Sequence, residues 1–250
     1  MIQSKTRQLA YTGLMTALVF IATRLITIPI PRGYIHLGDA MIFLTALMLK
    51  WKYGAFASGV GSALADLLSP YAIWTLPTLI VKSIMCIIVA FTLQSDKKRF
   101  TAISIAFCAI WGSLLIGFRY VIGIQVPKDP STYIDAVGYR GIENTEELLA
   151  FTNTLQNMLV LIAIAFVLAI LIIVFRLKKS QGSFEVLKQF VGFSFAGMWM
   201  VIGYYITEII LYGHYITPIF SVPFNVIQFL IGILIAQTIF ISLKQVKKSN

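Results

Sequence analysis

Charged side chains are scarce in this sequence. Asp, Glu, Lys and Arg make up 12% of the 250 residues, while hydrophobic residues make up 58%, and the mean hydropathy is +0.86. Soluble domains carry about 25% charged residues, so water is not the main solvent of the folded chain. Apolar runs long enough to cross about 30 Å of hydrocarbon recur along it. We therefore predict an all-α, polytopic membrane helix bundle that forms one transmembrane domain over residues 1–250.

Cysteine, histidine and the common catalytic motifs are also rare or missing. Cys86 and Cys108 both lie inside apolar runs, so no disulfide framework is expected. His36 and His214 alone make a poor zinc site, and we expect no metal and no cofactor. No Gly-Lys dipeptide occurs, which excludes a Walker-type phosphate loop, and the Gly-x-Ser-x-Gly elbow is absent. The chain is therefore expected not to be an enzyme, unless an unfamiliar Asp, Lys and Glu arrangement acts inside the membrane.

The net charge of +10 is explained by membrane orientation rather than by nucleic acid. Lysines and arginines cluster in short segments between apolar runs, as the positive-inside rule expects of cytoplasmic loops. With the N-terminus cytoplasmic, the outer loops hold only Arg32, Lys128 and Arg140. We predict a multi-pass plasma-membrane protein with both termini in the cytoplasm. The eight apolar segments cover about 8–28, 36–49, 54–68, 77–94, 101–123, 154–175, 190–213 and 222–243.

The second and third segments are short, and a long polar stretch interrupts the rest. Segments 36–49 and 54–68 reach only about 21–23 Å as helices. A re-entrant hairpin would leave Lys50 and Lys52 near mid-membrane without evident partners, so two short spans are preferred. The stretch 124–153 is expected to be an outer loop, with a short helix at 143–152 capped by Asn144 or Thr145.

Six ionisable side chains lie near the outer ends of the predicted spans. Ionisable groups inside membranes usually face a bundle interior or a watery cavity and mark a ligand path. The alternative is that they are interfacial anchors whose long stems reach the headgroups, and this alternative is favoured for Arg24 and Arg119. The six are Arg24, Asp39, Asp66, Lys82, Arg119 and Glu208.

Aromatic and amide side chains gather around these charges at helical spacing. Tyr204, Glu208 and Tyr212 recur every four residues and share a helix face. Aromatic walls with a few precisely spaced polar groups suit a vitamin-sized ligand, although outer Tyr and Trp are also common as interfacial belts. The stretch "GYIHLGDA", residues 33–40, is predicted to form the rim of this pocket. The candidate substrate-binding residues are Tyr34, His36, Asp39, Tyr71, Trp74, Lys82, Tyr204, Glu208, Asn225 and Gln228.

Small residues are concentrated in two spans. The stretch "GAFASGVGSALAD" in the third span favours close packing inside the bundle. In the first span, Ala10, Gly13 and Ala17 either pack internally or offer a small-residue face to another subunit. The sequence leaves both readings open for the first span.

Several motifs, in order along the chain, resemble one transporter family. "GYIHLGDAMIFLTALML", "KYGAFASGVGSALADLLSPYAIW" and "PTLIVKSIM" look like the substrate-binding S component of energy-coupling factor (ECF) vitamin transporters. "GMWMVIGYYITEIILYG" and "VPFNVIQFLIG" are similar to the last two helices of that family. The resemblance covers roughly 8–94 and 190–243.

The resemblance implies a six-helix core with an outward-facing pocket. It also implies a complex with a transmembrane coupling protein and two cytoplasmic ATPases, and the first helix, with Ala10, Gly13 and Ala17, would pack on the coupling protein. Residues 95–189 depart from the pattern, because they are interpreted as an inserted two-helix hairpin that raises the count to about eight segments.

The leading hypothesis is a substrate-binding subunit that captures a water-soluble vitamin or precursor from outside for ATP-driven uptake. Loop 30–39 would close over the ligand. The alternative is a self-sufficient secondary transporter, proton-coupled through Asp66 or Glu208. Which vitamin is bound does not follow from the sequence.

Overall fold

The computed structural model describes residues 4–25, 27–31, 33–137, 141–176 and 181–249. Arg32 and Arg140, two of the cations assigned to outer loops, lie outside these residues. Within the described residues the chain forms nine α-helices and one β-hairpin. The elements are α1 (Lys5–Leu25), β1 (Thr27–Ile30), β2 (Gly33–His36), α2 (Gly38–Met48), α3 (Trp51–Leu67), α4 (Thr75–Gln94), α5 (Lys97–Gln125), α6 (Pro130–Val137), α7 (Thr145–Arg176), α8 (Gln181–Tyr212) and α9 (Val222–Ser249).

The chain is an all-α helix bundle, as predicted, and six of its described helical segments are long and apolar enough to cross a membrane. These segments contain α1, α4, α5, α7, α8 and α9. The other two predicted segments correspond to α2 and α3, which have 11 and 17 residues. At 1.5 Å per residue they rise only about 16 Å and about 26 Å. The helix α2 is therefore too short to cross the hydrocarbon alone.

Small residues let α3 pack closely between α1 and α4. A Cβ atom at Gly61 would come within 2.6 Å of the Thr16 carbonyl oxygen on α1, and one at Gly59 within 2.8 Å of the Leu79 carbonyl oxygen on α4. Lipid tails are as apolar as leucine, so close van der Waals packing stabilises helix pairs in a membrane. The small residues of α3 thus serve internal packing. Further contacts join α4 to α8 and α2 to α9.

The helices α5 and α7 pack mainly on each other, and they meet the rest of the bundle through α8, α9 and the turn 217–221. The predicted short helix at 143–152 is wrong, because residues 145–152 form the beginning of the long helix α7. The predicted cap is confirmed, since Asn144 Oδ1 accepts a 3.0 Å hydrogen bond from the Glu147 amide. A further short helix, α6, lies in the 124–153 stretch. The division of the chain at 95–189 stays a prediction.

A β-hairpin stands between α1 and α2 where a loop was expected. The strands pair antiparallel, from Thr27 with His36 to Ile30 with Gly33. Pro29 and Pro31 cannot continue α1, and proline is tolerated in edge strands and turns. The hairpin lies at the same end of the bundle as the turn 217–221, since Ser221 Oγ donates a 2.8 Å hydrogen bond to the Pro31 carbonyl oxygen. We call this the hairpin end.

A second hollow lies at the opposite end of the bundle. It encloses about 1080 Å³ of empty space, including the part open to solvent. Its walls include residues 46–49 at the end of α2, together with Lys50, Trp51 and Lys52. The short helix α2 therefore ends inside the bundle, well before the level at which its longer neighbours end.

Candidate functional site

A cavity opens at the hairpin end, between the hairpin and helices α3, α4, α8 and α9. It holds about 490 Å³ of empty space, including the part open to solvent. Aromatic and polar side chains dominate its walls. The lining residues are Ile30, Gly33, Tyr34, His36, Asp66, Tyr71, Trp74, Thr78, Tyr204, Glu208, Ser221, Asn225 and Gln228.

The hairpin is tied to the cavity wall through Tyr34. The Tyr34 hydroxyl donates a 2.7 Å hydrogen bond to Asp66 Oδ1 at the end of α3. The Tyr34 ring also contacts the Tyr71 ring, with centroids 4.8 Å apart. Burial, and then the charge of Asp66, raise the pKa of Tyr34, so the phenol stays protonated and can donate. Together with Ser221 and Pro31, these contacts hold the hairpin closed.

A second wall is aromatic and comes from α8 and the segment before α4. Trp74 meets the Tyr204 ring edge-on, with centroids 5.7 Å apart, and the Thr78 and Tyr204 hydroxyls are 3.4 Å apart. Tyr204 and Glu208 both line the cavity, as their shared helix face predicts. Tyr212, on the same face, is 37% exposed and contacts Trp74 from outside the cavity. Flat apolar rings can therefore stack against this wall.

Gln228 joins the hairpin to a buried charge pair. Its Oε1 accepts a 2.9 Å hydrogen bond from the His36 amide, and its Nε2 donates at 2.7 Å to Asp39 Oδ2. The other Asp39 oxygen pairs with Lys82 Nζ at 2.5 Å, and both side chains are 0% exposed. Opposite charges at this distance offset much of the cost of burying each one.

Lys82 has two further contacts. Its Nζ is 2.9 Å from Met200 Sδ and 5.3 Å from the centroid of the Tyr204 ring, a cation–π arrangement. The ammonium group therefore lies behind the aromatic wall that Tyr204 presents to the cavity.

His36 is held in its neutral form. Its Nδ1 accepts a 3.0 Å hydrogen bond from the Gly38 amide, so the one N–H of the neutral ring lies on Nε2. Burial and the nearby Lys82 charge lower the pKa of His36 to about 3, against the opposing effect of Asp39. The imidazole therefore presents an uncharged polar surface to the cavity.

The structure brings eight of the ten candidate residues to this one cavity. Asp39 and Lys82 are the two exceptions. Both were predicted to lie on the cavity wall, but they pair with each other beneath it, because each satisfies the other's charge. Their effect on a ligand would be indirect, through Gln228 and Tyr204.

Five lining residues were not among the candidates: Ile30, Gly33, Asp66, Thr78 and Ser221. Asp66 had been singled out as an ionisable residue near the outer end of α3, and its charge was the available signal. Thr78 lies one helical turn before Lys82 on α4, so it shares that face. The side chains of Ile30, Gly33 and Ser221 do not mark them as binding residues. They line the cavity because the hairpin and the turn 217–221 fold next to it.

The role of Arg24 and Arg119 as interfacial anchors stays a prediction. Arg24 and Arg119 are both exposed, and Arg24 Nη2 donates a 3.1 Å hydrogen bond to the Leu68 carbonyl oxygen. Neither lines the cavity. No cluster of three or more His, Cys, Asp or Glu side chains that could hold a metal occurs in the described ranges.

The small residues of α1 lie on its outer side. Ala10, Gly13 and Ala17 are exposed, while Thr12, Met15 and Val19 are buried against the bundle. A Cβ atom at Gly13 would meet nothing within 4 Å. This face of α1 is therefore not covered by any of the residues that the structure describes.

Comparison with known proteins shows which family the sequence resembles. A family model described as "ECF-type riboflavin transporter, S component" matches residues 3–173, a range that includes α5, α6 and most of α7. A curated protein of Pyrococcus woesei, described as "Uncharacterized protein in gap 3'region", is 47% identical over 73 residues, which is 28% of this chain and 49% of that protein. The chain thus spans about half the length of this relative. No solved structure matches the chain.

Proposed function

This chain belongs to the family of ECF-type riboflavin transporter S components, and we propose that it captures riboflavin, or a vitamin with a similar flat ring system, from outside the cell for ATP-driven uptake. It is a multi-pass membrane protein and the substrate-binding subunit of an ECF transporter. Its family is a transporter family rather than an enzyme family.

The cavity at the hairpin end is the observation that carries the proposal. Aromatic side chains there can stack on the isoalloxazine ring, and the Asn225 and Gln228 amides with Glu208 offer partners for its ring N–H and carbonyl groups. All three polar residues are at most 7% exposed, so each hydrogen bond to the ligand would form in a largely dry site. A ligand that leaves such a buried polar group without a hydrogen-bond partner binds much more weakly, because the group has lost its water and gained nothing in return.

In the proposed orientation both termini are cytoplasmic and the hairpin end faces outward. The distribution of lysine and arginine supports this orientation. Riboflavin would enter when the hairpin opens, which requires the bonds from Tyr34 to Asp66 and from Ser221 to Pro31 to break. Closure would then bury the ring system.

The energy for uptake would come from partners. We propose that a transmembrane coupling protein binds the exposed small-residue face of α1, at Ala10, Gly13 and Ala17, and that two cytoplasmic ATPases drive it. Reorientation of the bundle within this complex would release the vitamin inside. Residues 95–189 would form an attached hairpin that packs on α8, α9 and the turn 217–221.

Purification tests this proposal directly. The chain would be isolated in detergent alone and after co-expression with a coupling protein and two ATPases, and the small molecules carried through would be identified by mass spectrometry. We expect a bound flavin, saturable riboflavin binding, and uptake into liposomes only with the ATPases present. Uptake by the chain alone would instead support a secondary transporter, and the absence of any flavin binding would overturn the assignment of the substrate.

A further inference from the structure

We infer that the buried Asp39–Lys82 pair is a positioning pair that acts on the ligand and on the hairpin through the Gln228 amide; this rests on the proposed function only for its ligand-binding readout. Two charged side chains that are 0% exposed lie next to a ligand cavity without lining it. Charges that do not touch a ligand need another reason to be there.

The pair fixes which way the Gln228 amide points. A carboxylate can only accept a hydrogen bond and a backbone N–H can only donate one. Gln228 lies between the two, with Nε2 donating to Asp39 and Oε1 accepting from the His36 amide. The reverse orientation would place oxygen against oxygen and N–H against N–H. As long as Asp39 carries its charge, only one amide orientation is favourable.

Lys82 keeps that charge on Asp39. Its ammonium group pairs with the oxygen that Gln228 does not use, so the carboxylate has a separate partner at each oxygen. Lys82 also lies over the Tyr204 ring. One buried pair therefore positions two residues on the cavity wall, an amide on α9 and an aromatic ring on α8.

The same chain of contacts reaches the hairpin. The His36 amide belongs to β2, and its bond to Gln228 spans 192 positions of sequence. Loss of the pair would free the amide to turn, weaken this bond and loosen the hairpin at its α2 side. Ligand affinity would fall even though no group that touches the ligand has been removed.

A cycle of variants separates positioning from a merely structural role. Lys82→Met with Asp39→Ala removes both charges together, because loss of one alone leaves an unpaired buried charge. Lys82→Met with Asp39→Asn is the second version, which keeps the shape of the carboxyl group in case the first does not fold. Each pair of substitutions is made in the parent protein and in the Gln228→Leu variant. The matched control is Cys86→Ala, because Cys86 is buried and lies one turn from Lys82 on α4.

Two readouts are measured on the full chain in detergent: the affinity for riboflavin and the amide exchange of the peptide that covers residues 33–37. In the parent background we expect affinity about tenfold weaker and exchange about tenfold faster, with neither changed in Cys86→Ala. In the Gln228→Leu background we expect the pair of substitutions to add nothing to the exchange at residues 33–37, since interacting residues are not additive, and to weaken affinity less than in the parent, because only the contact with Tyr204 is then lost.

Effects of equal size in both backgrounds, or a folded variant with unchanged exchange at 33–37, would overturn the positioning role. If the parent binds no riboflavin, the substrate assignment fails, whereas the exchange cycle still decides this inference without any ligand.

Discussion

The Tyr34 hydroxyl donates a 2.7 Å hydrogen bond to the Asp66 carboxylate and so joins the hairpin to the end of α3. The two residues are 32 positions apart in sequence and both line the cavity. Any ligand that enters from the hairpin end has to pass this contact. This contact is one of the bonds that have to break when the hairpin opens, together with the bond from Ser221 to Pro31.

Tyr34→Phe is expected to release the ligand faster. The variant keeps the ring contact with Tyr71 but loses a hydrogen bond worth about 1 kcal/mol, or about fivefold in a rate. Stopped-flow fluorescence of riboflavin release measures the effect. Tyr120→Phe on α5, where the tyrosine is 67% exposed, is the control and should match the parent. An unchanged release rate in Tyr34→Phe would show that this bond does not hold the hairpin.

Asn225→Ala and Glu208→Ala are each expected to weaken riboflavin binding at least about tenfold, a loss of about 1.4 kcal/mol. Both side chains are buried and line the cavity, so a ligand group left without its partner there is costly. Equilibrium titration measures the affinity. Thr238→Ala, on the exposed part of α9, should bind like the parent. Undiminished affinity in both variants would remove these residues from the binding site.

Binding is expected to weaken in acid through His36. Its pKa in the closed structure is about 3, whereas an opened hairpin would return it to its ordinary value near 6.5. Between these values the open form takes up a proton that the closed form does not, so closure loses free energy as the pH falls from about 6.5 toward about 3.

We expect the equilibrium between closed and open hairpin to shift toward the open form below about pH 6, approaching tenfold per pH unit, and riboflavin affinity to decline once the open form predominates, in titrations between pH 8 and pH 5. His36→Gln should flatten this decline, while His214→Gln should keep it. An equal decline in His36→Gln would assign the titration to another group, and the charges nearest to His36 are Asp39 and Lys82.

Gly13→Leu is expected to separate partner binding from ligand binding. A Cβ atom at Gly13 would meet nothing within 4 Å and the position is exposed, so riboflavin affinity should stay the same. A bulky residue on the small-residue face should prevent close approach of a coupling protein, and co-purification with the ATPase complex should fall. Gly117→Leu on α5 is an equally open position, and this control should retain the complex. Normal assembly of Gly13→Leu would place the interface elsewhere.

Local periodicity predicted much of the fold and part of the site. Helical spacing placed Tyr204 with Glu208, and Asn225 with Gln228, on shared faces, and the cavity contains all four. These predictions succeed because the spacing of residues on one helix depends only on the helix itself. The apolar segments succeed for the same reason, since each must satisfy its own backbone hydrogen bonds in lipid.

Relationships between distant segments could not be predicted in this way. Nothing in the sequence says that Asp39 pairs with Lys82, 43 residues away, rather than with a ligand. Residues 30–39 were expected to be a loop, and the hairpin depends on the pairing of β1 with β2, which no single segment reveals. Ser221 joined the site through a bond to Pro31 that spans 190 positions.

The shortness of α2 bears on how the chain meets a membrane voltage. With the cavity at one end and the second hollow at the other, the septum between the two aqueous sides is about as thick as this helix is long, about 16 Å. A voltage that falls over about half the usual distance produces about twice the field there. The only ionised pair inside that field is Asp39 with Lys82 among the described residues, and its net charge is zero. Moving this pair with the bundle would therefore add no net electrical work, because its two charges cancel.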